Sequence, residues 1–325
     1  MRHRPGRGAT VLADSPRWLY GAPGQLRAPW RLLTFAACLF LAQGIAESFI
    51  APIFEYASAI AGEPLPGYPW TMLAAVLAAV AFTLRTVDDD EWESVALGHG
   101  AWSPRAILRG LALGAGAIGA TAALLWIVGA FRIEAAPLLD GSESLTRAWS
   151  ATALRLLFML APAALWEELI FRGYLWHVAA DAGGARMARW STSVAFSAVH
   201  FLNPGAGVRT AVLVLLAGFC LGLIRERLDS LPAAWGAHLA WNWIMAAVLH
   251  VPVSGLALAT PGYRGVLNGP DWLTGGVWGP EGGAIAALIM VSALLWLEWP
   301  HRNEYLWTRT RGTRSASDVA AATRS

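Results

Sequence analysis

Lysine is absent from the 325-residue chain, so all 24 basic residues are arginine, and only 14% of residues carry a charge of either sign. Recognition of nucleic acid draws on a dense basic patch. No polybasic patch occurs, and nucleic acid is excluded as a partner. Cysteine is nearly absent as well: Cys38 and Cys220 each lie in an apolar run without metal-ligand spacing and read as buried thiols. Two catalytic signatures are missing, H-E-x-x-H for a soluble zinc protease and G-x-S-x-G for a serine nucleophile. What is present instead is apolar surface: 56% hydrophobic residues, 18 tryptophans and a mean hydropathy of +0.46. That balance lies far outside a soluble domain and identifies an integral membrane protein.

Crossing a bilayer takes roughly 20 apolar residues. Stretches of that kind fall at 31–53, 68–85, 106–131, 148–178, 187–205, 209–227, 231–252 and 282–299. Unsatisfied backbone polar groups are costly in lipid and these runs do not alternate, so they read as helices rather than barrel strands. The expected fold is an all-α, polytopic bundle of eight spans. The chain divides into an N-terminal tail (1–30), a transmembrane domain (31–300) with its polar motifs in a core at 147–252, and a disordered tail (301–325). The Arg-, Pro- and Gly-rich start precedes a full-length apolar run, which argues against a cleaved signal peptide.

Arginines beside the spans set the orientation. Arg2, Arg4, Arg7, Arg17 and Arg27, then Arg186 and Arg189, Arg225 and Arg227, and finally Arg302, Arg309, Arg311 and Arg314 all come out on one side. Both termini are therefore expected in the cytoplasm, in the cell membrane of a bacterium. The run "DDDEWE" within 86–105 reads as a solvated loop. "NGPDWLTGGVWGPEGG" (268–283) reads as an outer loop at the interface, placed to act as a lid. Gly110 and Gly114 have the spacing that lets helices approach closely.

Ionisable residues inside spans are expensive and mark a functional site or a buried pair. Span four carries Glu167, Glu168 and Arg172, span five His200, span seven His238 and Asn242, and span one Gln43 and Glu47. Glu168 and Arg172, four apart, share a helix face and can pair; Glu167 is turned by about 100° and is the freer carboxylate. His238 and Asn242 project together for the same reason. Glu167 and His200 lie 16 residues to either side of the Gly183–Gly184 turn and should be level. His238 counts to about 10 Å from its own turn and Asn242 to about 17 Å. A carboxylate with a histidine beside it can activate water, and a second histidine with an amide can stabilise an oxyanion. The same groups suit zinc, held by His200, His238 and Glu167 with an open position for water. Gln43 and Glu47 read equally as a helix-packing pair or as a wall of this cavity. His177 and His250 read as interfacial, without a role.

Glu167-Glu168-x-x-x-Arg172, Phe196-x-x-x-His200 and His238-x-x-x-Asn242, in that order on successive hydrophobic segments, resemble the three motifs of the CPBP family. These are intramembrane proteases that include type II CAAX prenyl endopeptidases and bacterial bacteriocin-processing or self-immunity proteins. The resemblance implies that Glu167 and His200 activate water, that His238 and Asn242 form the oxyanion hole, and that Glu168, Arg172 and Phe196 support the site. It favours a metal-free glutamate mechanism without a cofactor, with zinc as the alternative. The substrate is then a membrane-tethered peptide or protein meeting the enzyme in the lipid bilayer. The competing reading is a non-catalytic membrane protein, either an immunity-type binding partner or a proton-coupled carrier. A carrier is disfavoured because a proton relay has little use for Asn242 and no internal repeat is detectable.

Overall fold

The computed structural model describes residues 18–21, 25–135, 144–258 and 262–299. The tail expected at 301–325 and residues 1–17 of the N-terminal tail lie outside them.

Each expected apolar run forms helix. α1 (Ala28–Phe49) and α2 (Ala51–Ala61) follow one another, then α3 (Tyr68–Thr83), α4 (Pro104–Ile127), α5 (Leu145–Glu168), α6 (Leu175–Val199), α7 (Val208–Leu228) and α8 (Leu231–Trp243). A short α9 (Asp271–Thr274) and α10 (Ala284–Glu298) complete the order. By length and composition, four rods among the described residues are able to cross a membrane: 28–61, 68–88, 104–127 and 208–228. The other helices are either shorter or carry the polar groups of the site. This is a multi-pass membrane protein.

The first rod overruns its expected end at 53. Pro52 stands in the first turn of α2, where its missing N–H breaks no helical bond, so the chain is interrupted only at Ile50 and continues as helix to Ala61. The turn expected near Gly183 and Gly184 is present: both leave the helical region, and Gly184 has φ +78. α6 is thus two helices back to back.

α4 and α8 pack with backbone against backbone. A Cβ at Gly110 would overlap the Ala233 carbonyl oxygen, and one at Gly114 the Ala237 carbonyl oxygen. The glycine spacing therefore seats the helix that carries His238. The start of α8 is itself inside the protein: Leu231 N bonds to Ala96 O at 3.0 Å, and Ser230 Oγ bonds to Ala101 O at 2.5 Å while capping Ala233 N. Ser230, Leu231, Ala233 and Ala234 are all fully buried.

The segment 86–105 is only in part the solvated loop its composition suggested: Asp89, Glu91 and Glu93 are exposed, while the Asp88 side chain is drawn inside. A π-helical turn, Leu84–Asp88, ends α3 and buries Asp88, whose Oδ1 lies 2.6 Å from Arg31 Nε. Arg31 also reaches Asp181 Oδ2 at 2.8 Å, so one guanidinium ties α1, the end of α3 and α6 together. His177, expected at the interface, is buried beside this pair, with Nε2 3.3 Å from Asp90 Oδ2. Gln43 and Glu47 resolve as helix packing: Thr71 of α3 donates to Glu47 Oε1 at 2.7 Å, as does Gln43.

At the opposite end of the bundle the all-α expectation has one exception. β1 (Phe131–Ala135) pairs antiparallel with β2 (Tyr263–Leu267), with Phe131 opposite Leu267. Arg132 and Arg264 hydrogen-bond Glu134 between them and hold its carboxyl below the usual range. His250, also expected at the interface, is buried edge-on against Tyr263, their ring centroids 4.0 Å apart.

Candidate active site

Helix α5 ends in a π-helical turn, Leu169–Tyr174, which starts at the residue after Glu168 and contains Arg172. Glu168 and Arg172 are both fully buried and pair at 3.1 Å, as their spacing requires. The guanidinium does more than this. Its NH2 donates to the Gly218 carbonyl of α7 at 3.2 Å, and its Cζ stands 4.2 Å over the ring of Phe196. Phe196 in turn lies against His200, ring centroids 4.4 Å apart. Phe196 is therefore a spacer between the ion pair and the histidine.

Glu168 also reaches His238: its Oε1 lies 2.9 Å from His238 Nδ1. Helical spacing carries no sign of this bond, because it joins residues 70 positions apart. It aims His238 Nε2 at Glu167. Glu167 Oε2 lies 4.0 Å from Nε2 of His238 and 4.0 Å from Nε2 of His200. Glu167 Oε2 is a buried oxygen without a hydrogen-bond partner among the described residues. The hairpin count that set Glu167 level with His200 agrees with this geometry. The count that left His238 shallower fails, because α8 starts inside the bundle and not at its rim.

His200 is fixed from its own helix. Its Nδ1 lies 2.7 Å from the Phe196 carbonyl oxygen, which can only accept, so Nδ1 carries a proton and Nε2 faces Glu167. Asn242 sits one turn beyond His238, before the π-helical turn Ile244–Leu249. His200, His238 and Asn242 open onto a cavity of about 110 Å³ between α4, α7, α8 and α10, walled by apolar residues that include Leu113, Leu213, Leu221 and Met290. Cys220 also lines it, as a free thiol.

Sequence reasoning missed one wall of this cavity. Ser254, Trp241 and Glu281 all face it. The segment 268–283 is folded as a cap of short helical turns, with Trp278 only 1% exposed and packed with Phe171, Phe196 and Val214. A carboxylate adjoining the last apolar run was the available signal.

The donor set Glu167, His200 and His238 is chemically suited to zinc. Its spacing is wider than a zinc cage, in which ligands bound at about 2.0–2.1 Å stand roughly 3.4 Å apart. Among the described residues no group of three His, Cys, Asp or Glu has the spacing to hold a metal ion.

Residues 149–244 match the family model Rce1-like, type II CAAX prenyl endopeptidase Rce1-like. The matched stretch contains all seven motif residues, from Glu167 to Asn242, and ends before the cap. The likeness to the CPBP proteases therefore holds over the core of the chain. No curated protein and no solved structure matches at a significant level.

Proposed function

We propose that the protein is an intramembrane endopeptidase that hydrolyses a peptide bond of a membrane-tethered protein or peptide. The observation that carries this reading is the approach of Glu167 Oε2 to Nε2 of both histidines, 4.0 Å each, beside an apolar cavity.

Proton inventory separates the two rings. His200 donates its Nδ1–H to a carbonyl, so its neutral ring offers a lone pair at Nε2. Glu167 and His200 are then two acceptors at a separation that suits one water donating to both. His238 donates its Nδ1–H to Glu168, which is itself paired with Arg172, and in the form that donates to substrate Nε2 is protonated too. In the hydrolytic step the water oxygen bonds to the scissile carbonyl carbon, and one water proton passes to the Glu167–His200 pair. The negative charge on the carbonyl oxygen meets Nε2–H of His238 and the Asn242 amide, and one such donor contributes about 3–4 kcal/mol in other hydrolases. Return of the proton to the amide nitrogen breaks the C–N bond and releases an amine and an acid. Glu168 and Arg172 orient His238, and Phe196, seated on Arg172, supports the His200 ring. No cofactor enters this scheme. In this reading the Gly183–Gly184 end faces the cytoplasm of a bacterial cell.

The test compares peptide termini, by mass spectrometry, in membranes of cells producing the wild-type chain or Glu167→Ala at matched levels. New termini confined to wild type are expected, and they name the substrate, prenylated or not. Coincident profiles together with a lost biological phenotype would remove the hydrolytic reading in favour of a binding protein or carrier. Cleavage by the purified protein should persist after stripping with a strong chelator; loss restored by zinc alone would replace the metal-free scheme.

A further inference from the structure

One carboxylate on the cavity wall belongs to none of the motifs. Glu281 lies in the turn Pro280–Gly282, past the end of the family match. Its Oε1 accepts from the backbone N of Ser254 at 2.6 Å and from Ser254 Oγ at 2.7 Å, and its Oε2 accepts from Trp241 Nε1 at 2.9 Å. Bonds from neutral donors to a carboxylate are charge-assisted and shorter than ordinary ones. Trp241 is the residue before Asn242.

The path continues on the other side. The Ser254 carbonyl accepts from Asn203 Nδ2 at 3.1 Å, and Asn203 N bonds to the carbonyl of His200 at 3.1 Å. Ser254 holds φ +48, a region that residues other than glycine seldom adopt. Its three bonds keep it there. A second connection runs in parallel, since Gly255 N bonds to Trp278 O at 3.0 Å and Trp278 packs on Phe196. Glu281 thus stands midway on a hydrogen-bonded route from the His200 turn to the Asn242 turn. One of the two helix ends it connects carries His200 of the water-activating pair, and the other carries the oxyanion donors.

We propose that Glu281 is a positioning residue that fixes the separation between His200 on one helix and His238 with Asn242 on another. The inference rests on the hydrolytic reading for its kinetic consequence, though not for its geometric one. A displacement of ~1 Å at a site of this kind costs up to ~10²-fold in rate. Glu281→Gln keeps the size of the side chain and replaces one acceptor oxygen with a donor amide. That amide nitrogen then meets either Trp241 N–H or the Ser254 donors, and one link of the route opens.

The test uses the full chain in lipid nanodiscs, wild type against Glu281→Gln, Trp241→Phe and the double variant. The first readout is activity-independent: histidine ring resonances, assigned with His200→Gln and His238→Gln. In Glu281→Gln the His200 and His238 signals should move while those of His99 and His177 stay. The second readout is kinetic, on the peptide whose cleavage distinguishes wild type from Glu167→Ala. There kcat should fall roughly 10- to 100-fold with KM nearly unchanged, and the double variant should be little worse than Glu281→Gln alone, because both cut one route. Unmoved His200 and His238 signals overturn the proposal, whether activity is intact or falls only with the folded fraction. A risen KM at constant kcat also overturns it, since Glu281 would then be a substrate contact. Moved signals in a chain whose wild type cleaves nothing would uphold the positioning role and sink the protease.

Discussion

Glu167 and Glu168 are adjacent in sequence and opposite in situation. Glu168 is fully buried between Arg172 and His238, whereas Glu167 keeps an oxygen open toward two imidazole nitrogens. Substitution should separate them by what is lost. Glu167→Gln removes the proposed base and should lower cleavage by ~10²–10⁴-fold, with the thermal midpoint of the purified protein close to wild type. Arg172→Met leaves a buried carboxylate without its cation, and breaking such a pair from one side costs about 3–5 kcal/mol. That variant should lose both fold stability and activity, while Glu168→Leu with Arg172→Met should regain stability in a thermal melt and remain inactive. Asn242→Ala should cost about 10²-fold in kcat, with little change in KM. The Glu168–Arg172 pair is legible from the spacing of charges, since it depends on one helix alone. The Glu168–His238 bond and the Glu281 cluster are hidden from such spacing because they join turns remote in sequence.

Helix α4 sorts its glycines by what faces them. Gly110 and Gly114 lie against carbonyl oxygens of α8, while a side chain at Gly116 would meet open space. Gly114→Val should therefore push α8 outward, lower the thermal midpoint and reduce cleavage together. Gly116→Ala should be neutral or stabilise by up to ~1 kcal/mol, the ordinary gain of replacing glycine within a helix. A loss at Gly116 equal to that at Gly114 would contradict the seating of α8 on α4. Apolar run length and a pair of glycines make the helical runs and the Gly183–Gly184 turn legible. They do not reveal how far each helix is set into the protein. Buried ends are fixed by partners such as Ala96, Ala101 and Arg31, and hydropathy sees only the polarity of a loop, so Asp88 looked solvated.

At the scale of the whole molecule the bundle has two distinguishable sides. The Gly183–Gly184 turn and the β1–β2 pair lie at opposite ends, and the proposed orientation, drawn from the arginine distribution, turns the former to the cytoplasm. Cysteines at the exposed positions Arg186 and Ile133 should be labelled by an impermeant maleimide from opposite faces of sealed vesicles, Ile133→Cys from outside. The reverse pattern would invert the topology. The recessed start of α8 bears on how such a chain is built. At 13 residues, α8 rises only about 20 Å as α-helix, short of a hydrocarbon core of about 30 Å. Its resting place, the glycine face of α4 and the carbonyls of Ala96 and Ala101, has left the ribosome long before α8 is made. The helix that carries His238 and Asn242 is thus synthesised after the surface that receives it, and on the proposed function no hydrolysis can precede its docking there.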